Sequence, residues 1–249
     1  GQFFRLHRET FRVMSYNIHH GAGIDGVLNL SRIATEILAE SPDLVGLQEV
    51  DRNTTRSGNL DQMAELGRLT GMHYFFGKNR DYGVGEYGLG VLSKFPILSQ
   101  QHILFEQQNQ ELEARGVSVI QVDLGMTNFY FLNNHLDHTA SDSERLYQIS
   151  QLKTLTQSLP AGRLLLGGDF NFQPDDACHA SMAEEFTDAW PRVGEGNGFT
   201  FPSDNPNRRI DFFWTKSLQP APVRAWVAPF SPASDHSPLV MDFLLPGEN

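Results

Sequence analysis

Short runs of β-branched and aromatic residues alternate with stretches of helical period from one end of the chain to the other. Phe11-Arg12-Val13-Met14-Ser15-Tyr16-Asn17 predicts a first strand. Leu30, Ile33, Ala34, Ile37 and Leu38 then recur at helical spacing and stop at Ser41-Pro42, because a residue before proline is pushed out of the α region. Asp43 to Gln48 predicts a second strand that ends at Glu49, and Asp61 to Thr70 a helix closed by a left-handed cap at Gly71. Further strands are expected at Tyr74–Phe76, Leu89–Leu92, Val117–Val122 and Phe129–Leu132. Ser141-Asp142-Ser143-Glu144 has the spacing of a capping box and predicts a helix running toward Leu159 and Pro160. Arg163 to Asp169 predicts a buried strand, Gly194 to Asn207 a loop, and Ile210–Trp214, Val223–Val227 and Leu239–Leu244 three closing strands. No linker, repeat or low-complexity block interrupts the series, so a single α/β domain over 1–249 is expected.

Composition narrows the partners. With 249 residues, 40% of them hydrophobic, one sizeable core is affordable. Acidic side chains outnumber basic ones 30 to 19, for a formal charge of -11, which disfavours nucleic acid unless the basic residues are gathered on one face. Arg5, Arg8, Arg12, Arg208 and Arg209 are the candidates for such a strip. No apolar run is long enough to span a bilayer and no basic amphipathic stretch would lie on one, so stable membrane insertion is not expected. The lone Cys178 excludes an internal disulfide and a cysteine-built zinc site. The start Gly1-Gln2-Phe3 has neither an initiator Met nor a signal-peptide pattern; a leader removed beforehand would fit it, with a slight lean toward export. Oligomeric state leaves no signature.

The polar residues gather at strand ends, and each has a plain structural explanation beside a chemical one. Asn17 could be a turn former. Glu49, at the end of the apolar run Leu44–Leu47, needs a cation or a salt bridge, with Arg52 or Arg56 as partner. His135 and His138 flank Asp137 at another strand end, where a structural hydrogen bond or helix capping would also account for them. Arg145 and Gln148, on the helix that follows, suit packing or a pocket wall. Gly167-Gly168-Asp169-Phe170-Asn171 is the sharpest local signal: two glycines allow close approach to a ligand, and an acid and an amide can orient water and donate to an oxyanion. Asp211 could pair with a neighbouring arginine, and Asp235-His236 could be a turn. Phe199, Phe201, Phe212, Phe213 and Trp214 could wall an apolar pocket or fill the core.

Taken in order, Ser15-Tyr16-Asn17-Ile18, Leu47-Gln48-Glu49, His135-Leu136-Asp137, Gly168-Asp169-Phe170-Asn171, Arg209-Ile210-Asp211 and Ser234-Asp235-His236 resemble the motifs of the endonuclease/exonuclease/phosphatase superfamily, from about residue 11 to 245. The resemblance implies a four-layer α/β sandwich, two mixed sheets face to face with helices outside, which periodicity alone does not select. It implies a phosphoester hydrolase, phosphodiesterase or phosphatase, in which water attacks in line. Glu49 would be the principal Mg²⁺ ligand, with Mn²⁺ an alternative ion and Asn17 and Asp235 close to it. Asp169 would activate the water, helped by Asn171. His236, oriented by Asp211, and His135 would face the phosphate. Asn17, Asn171, His138 and Arg145 join His135 as substrate-binding candidates. Abasic-site endonucleases carry an Asp where this chain has His19, which argues against that activity. A nuclease acting on DNA or RNA is the nearest alternative, and a catalytically silent phosphate-ligand binding protein a more distant one. The substrate is a phosphate ester of unassigned identity, because specificity in such a fold belongs to loops, here Gly21–Asn29, Asn79–Tyr87, Glu106–Glu113 and Gly194–Asn207.

Overall fold

The structure, a computed structural model, describes residues 9–125 and 128–246. In chain order the strands are β1 (Thr10–Asn17), β2 (Leu44–Arg52), β3 (His73–Tyr82), β4 (Gly85–Ser93), β5 (Ile97–Leu104), β6 (Gly116–Asp123), β7 (Asn128–His135), β8 (Leu164–Asp169), β9 (Thr187–Asp188), β10 (Asp211–Thr215), β11 (Pro222–Val227) and β12 (Leu239–Leu244). The helices are α1 (Leu30–Glu40), α2 (Gln62–Thr70), α3 (Ser143–Thr156), α4 (Ala177–Ala183) and α5 (Trp190–Val193). Two mixed six-stranded sheets form, in the orders β11-β12-β1-β2-β4-β3 and β5-β6-β7-β8-β10-β9. Period-two alternation sorts their side chains into layers. Phe11, Val13, Leu44, Phe131, Leu165 and Phe213 meet between the sheets. Met14, Tyr16, Val45 and Leu47 face outward onto Ile33, Ile37, Met63 and Leu66 of α1 and α2. Leu132, Leu164, Leu166, Phe212 and Trp214 face the other way, onto Ile149, Leu152, Cys178 and Met182 of α3 and α4. This is the four-layer α/β sandwich that the motifs imply.

The inward positions change character along each central strand. On β1 they run Phe11, Val13, Ser15, Asn17; on β7 Phe129, Phe131, Asn133, His135; on β8 Leu165, Gly167, Asp169. The sandwich interior is therefore greasy at one end and polar at the other. Between the two lies a buried amide layer, in which Gln48 donates to Asn133 Oδ1 at 2.8 Å and Asn133 donates to the carbonyls of Leu47 and Gly90, each at 2.9 Å. β1 and β2 run parallel, as do β7 and β8, so their carboxyl ends share one edge. β10 and β12 run antiparallel to β8 and β1 and bring their amino ends to the same edge.

Several expectations change on contact with the structure. The second strand does not end at Glu49. It continues to Arg52 through a β-bulge between Leu47 and Val50, with Glu49 at φ 56°. Val50 packs in the outer layer, where strict alternation would put it between the sheets, so the extra residue turns both Gln48 and Glu49 inward. The Asn79–Tyr87 segment is not a loop but a tight hairpin of β3 and β4. The capping box at Ser141–Glu144 does not close. Asp142 is the N-cap without a side-chain bond, and Glu144 accepts instead from the backbone N–H groups of Gln108 and Asn109 at 3.1 and 3.3 Å. Phe212, Phe213 and Trp214 are core, while Phe201 reaches the site described next.

Candidate active site

At the polar edge a cavity of about 410 Å³ opens between the two sheets, lined among others by His19, His20, Glu49, Arg56, His135, His138, Asp169, Asn171, Asp235 and His236. Asp169, delivered by β8, is its centre. One carboxylate oxygen, Oδ2, lies 3.1 Å from Asn17 Nδ2, 3.4 Å from His135 Nε2 and 3.6 Å from His236 Nε2. Oδ1 accepts the Asn171 N–H at 3.1 Å. Asn171, at φ 52°, donates its side-chain amide to the Leu136 carbonyl. Glu49 adjoins this cluster: ligand atoms of Glu49, His135 and Asp169 all lie within 4.8 Å of one another, and so do those of Asp169, Asp211 and His236. Six stretches of chain, from both sheets, thus converge on one spot.

Electrostatics separate the two imidazoles. Burial disfavours a charged His236, yet Asp211, whose Oδ2 is 2.9 Å from Nδ1, and then Asp169 outweigh it and lift its pKa above the ordinary imidazole range. Asp211 is itself held by the Thr200 hydroxyl. Burial, then Arg115 and His236, push His135 the opposite way and favour its neutral ring. Burial raises the Asp169 pKa, and repulsion from Asp211 adds to the rise. Proton acceptor and proton-bearing cation are therefore set side by side by unlike surroundings.

The arginines that could have explained the acids away are engaged elsewhere. Arg52 pairs with Glu86, Arg56 with Asp51, and Arg209 with Asp188, leaving Glu49 and Asp211 without a guanidinium among the described residues. A half-buried carboxylate facing a buried one, with only an amide between, suits a hard divalent cation with oxygen ligands. Glu49 and Asp169 supply such oxygens. Asn17 does not in its present orientation: Nδ2 points at Glu49 and Asp169 and Oδ1 accepts the His19 N–H, so it holds the carboxylates together, and would offer an oxygen to a cation with the amide turned over. Asp235 lines the cavity outside the tight cluster. Arg145 is not in the wall. It braces the turn above, bonding the carbonyls of Asp137 and Thr139 and the Asp142 carboxylate, while Gln148 accepts the Asp137 N–H.

Sequence reading did not single out Arg115 or His20, took Arg56 only as a salt-bridge partner for Glu49, and reached Tyr82, Tyr87 and Glu113 only as parts of segments expected to set specificity; all six line the cavity. Arg115 is buried beside the site, with Nη2 3.3 Å from His138 Nδ1 and its Nε without a partner among the described residues. Its signal was its place: Gly116 pairs with His135, so the residue before β6 must arrive at the polar edge. Among the described residues the expected basic strip is not assembled. Arg5 and Arg8 lie outside the described residues, and Arg12 pairs with Asp242 about 16 Å down β1 from Asn17.

With the sandwich and its carboxylate–imidazole edge in view, the chain belongs to the Endonuclease/Exonuclease/phosphatase family, which it matches over residues 14–236. It is 27% identical to the Escherichia coli K12 protein YbhP over 254 residues, covering 92% of this chain and 94% of that one. It is 26% identical over 195 residues to the 5'-tyrosyl-DNA phosphodiesterase of Caenorhabditis briggsae, covering 73% of this chain and 49% of that one. A solved endonuclease/exonuclease/phosphatase structure from Beutenbergia cavernae superposes with a TM-score of 0.81 at 26% identity, covering 96% of this chain and 72% of that one.

Proposed function

We propose that this protein hydrolyses a phosphoester bond with the help of a divalent cation, Mg²⁺ or Mn²⁺. The observation that carries the reading is Asp169, a buried carboxylate within 3.6 Å of two imidazoles whose surroundings push their pKa values in opposite directions, beside a Glu49 with no basic partner among the described residues. When bound at Glu49, with Asp235 and a turned Asn17 nearby, the cation supplies charge stabilisation at a phosphoryl oxygen and the departing alkoxide. The chain's own groups do the rest. Asp169 orients water and takes its proton, and the elevated pKa suits a base working near neutrality. Asn171 fixes Asp169 through its backbone N–H. His236, kept protonated by Asp211, stabilises charge developing on the phosphoryl group, and His135 donates from a neutral ring. Arg115 and His138 hold the phosphate from the β6–β7 side. The nematode relative, by its name a phosphodiesterase, supports P–O chemistry on this scaffold.

The test is hydrolysis of p-nitrophenyl phosphate and bis(p-nitrophenyl) phosphate with Mg²⁺ and with excess chelator. Turnover should vanish with chelator, and Asp169→Ala and His236→Ala should each lower kcat by about a hundredfold or more while melting temperature is kept. A purified, folded wild-type chain that cleaves neither ester, or variants as active as wild type, would overturn the reading.

A further inference from the structure

The wall next to Arg115 is built more firmly than a passive rim requires. Arg56 sits on a single helical turn between β2 and α2, and its guanidinium is fixed on three sides. Nε and Nη2 donate to the two oxygens of the fully buried Asp51, at 2.7 and 2.8 Å. Asp51 is held in turn by the hydroxyls of Thr54 and Ser57. The guanidinium plane lies over Tyr82, 3.8 Å from its ring centre, and within 5.6 Å of Tyr87. The neighbouring turn is strained as well: His19 and His20 are successive non-glycine residues at φ 49° and 45°, and Gln62 ties the two turns together by accepting from the Asp51 N–H and donating to the His20 carbonyl.

What this wall leaves to offer is specific. Arg56 Nη1 has no acceptor among the described residues, and the arginine's charge is met by Asp51. His19 spends only Nδ1, on the Ala22 carbonyl, and the His20 ring has no hydrogen bond among the described residues. One face of Tyr82 is already covered by the guanidinium and Tyr87 is buried, so this wall presents hydrogen-bonding edges more than ring faces. A nucleobase would have only the remaining face of Tyr82 to stack on along this wall, and a second phosphate would meet a cation already paired with Asp51. Neutral hydroxyls would find there both donors and acceptors not already used: Arg56 Nη1, the remaining imidazole nitrogens of His19 and His20, and the Tyr82 hydroxyl.

We infer that His19, His20, Arg56 and Tyr82 form a second subsite that binds the hydroxyl-rich, uncharged part of the substrate, making the ester a monophosphate of a sugar or similar polyol. This deepens the phosphoester reading and rests on its phosphate position. The test is calorimetric binding in Mg²⁺ to an Asp169→Asn chain, which prevents turnover, with glucose 6-phosphate, methyl phosphate, fructose 1,6-bisphosphate and AMP as probes. Glucose 6-phosphate should bind about tenfold more tightly than methyl phosphate, the worth of two or so added hydrogen bonds, and more tightly than the other two. Arg56→Lys, which keeps a cation opposite Asp51 but loses the fork, and Tyr82→Phe, which only removes a hydroxyl, should each shrink that ratio severalfold. A ratio near one, a ratio unmoved in the folded variants, or tighter binding of AMP or the bisphosphate would overturn the subsite. Selective binding by a chain whose wild type hydrolyses nothing would leave the subsite standing and remove catalysis; no binding of any phosphate would remove both.

Discussion

At the scale of single residues, the site turns on what Glu49 lacks. The sequence put two arginines within reach of it, and no spacing rule says that Arg52 would choose Glu86 and Arg56 would choose Asp51. Among the described residues those choices leave Glu49 without a basic partner, close to Asp169 and held in a left-handed backbone that costs roughly 1–3 kcal/mol in a non-glycine residue. Such an arrangement stores repulsion that a cation relieves, which makes metal binding a stability measurement. Mg²⁺ at about a hundred times its dissociation constant should stabilise the wild type by about 2.7 kcal/mol, a rise of about 5–10 °C in melting temperature for a chain of this size. Glu49→Gln should lose most of that rise, and without metal it should melt no lower than wild type. A full Mg²⁺ shift in the folded variant would remove Glu49 from the cation site. Asp211 follows the same logic with a different outcome: freed of Arg209, which serves Asp188, it is spent on His236.

At the scale of elements, what was legible followed from periodicity, and what was missed followed from partners distant in sequence. The existence of β1, α1, α2 and β12 could be read because each carries its own buried stripe; α2 ends at Gly71 with φ 69°, as its composition requires. β5 was missed because its exposed run, Ser99-Gln100-Gln101, has no apolar alternation to betray it. The capping box failed because Glu144 is recruited by a loop 35 residues away. Arg115 was passed over because its role depends on β6 pairing with β7. The gradation from apolar to polar along inward positions was present in the sequence, but only the face assignment reveals it. The amide layer that separates the two halves is testable. Asn133→Ala takes the shortest acceptor from the Gln48 amide, leaving it Ser15 Oγ at 3.2 Å, and removes a donor from two strand carbonyls, and should cost about 3 kcal/mol in urea unfolding. A Cβ on Gly46 would sit 2.7 Å from Asn133 Oδ1, so Gly46→Ala should also destabilise, but much less in the Asn133→Ala background. Strict additivity in that double-mutant cycle would show that the layer does not couple the sheets.

At the scale of the whole molecule, charge decides between a phosphate ester carried by a small molecule and one carried by a polymer. The chemistry of the cavity would serve either. A nucleic acid, however, gains most of its affinity from releasing counterions as lysines and arginines replace them along many phosphates. This chain has a formal charge of -11. Of the cavity's arginines, Arg56 is paired to Asp51 and Arg115 to Glu113, and Arg12 and Arg209, the other described members of the supposed basic strip, are tied to Asp242 and Asp188. Only Arg208 lines the cavity without an acidic partner among the described residues. A strand leaving the site would thus find few unpaired arginines among the described residues to engage its phosphates. For a thirty-nucleotide single strand in 150 mM salt, with Asp169→Asn to prevent cleavage, fluorescence anisotropy should give a dissociation constant no tighter than about 10⁻⁴ M, the weak end of non-specific binding. The logarithm of that affinity should fall with the logarithm of salt with a slope smaller than about 2, the signature of one or two phosphates engaged. Micromolar binding with a slope of about 5 or more would mean that several phosphates are gripped at once, and the polymer would then displace the small ester as the natural substrate.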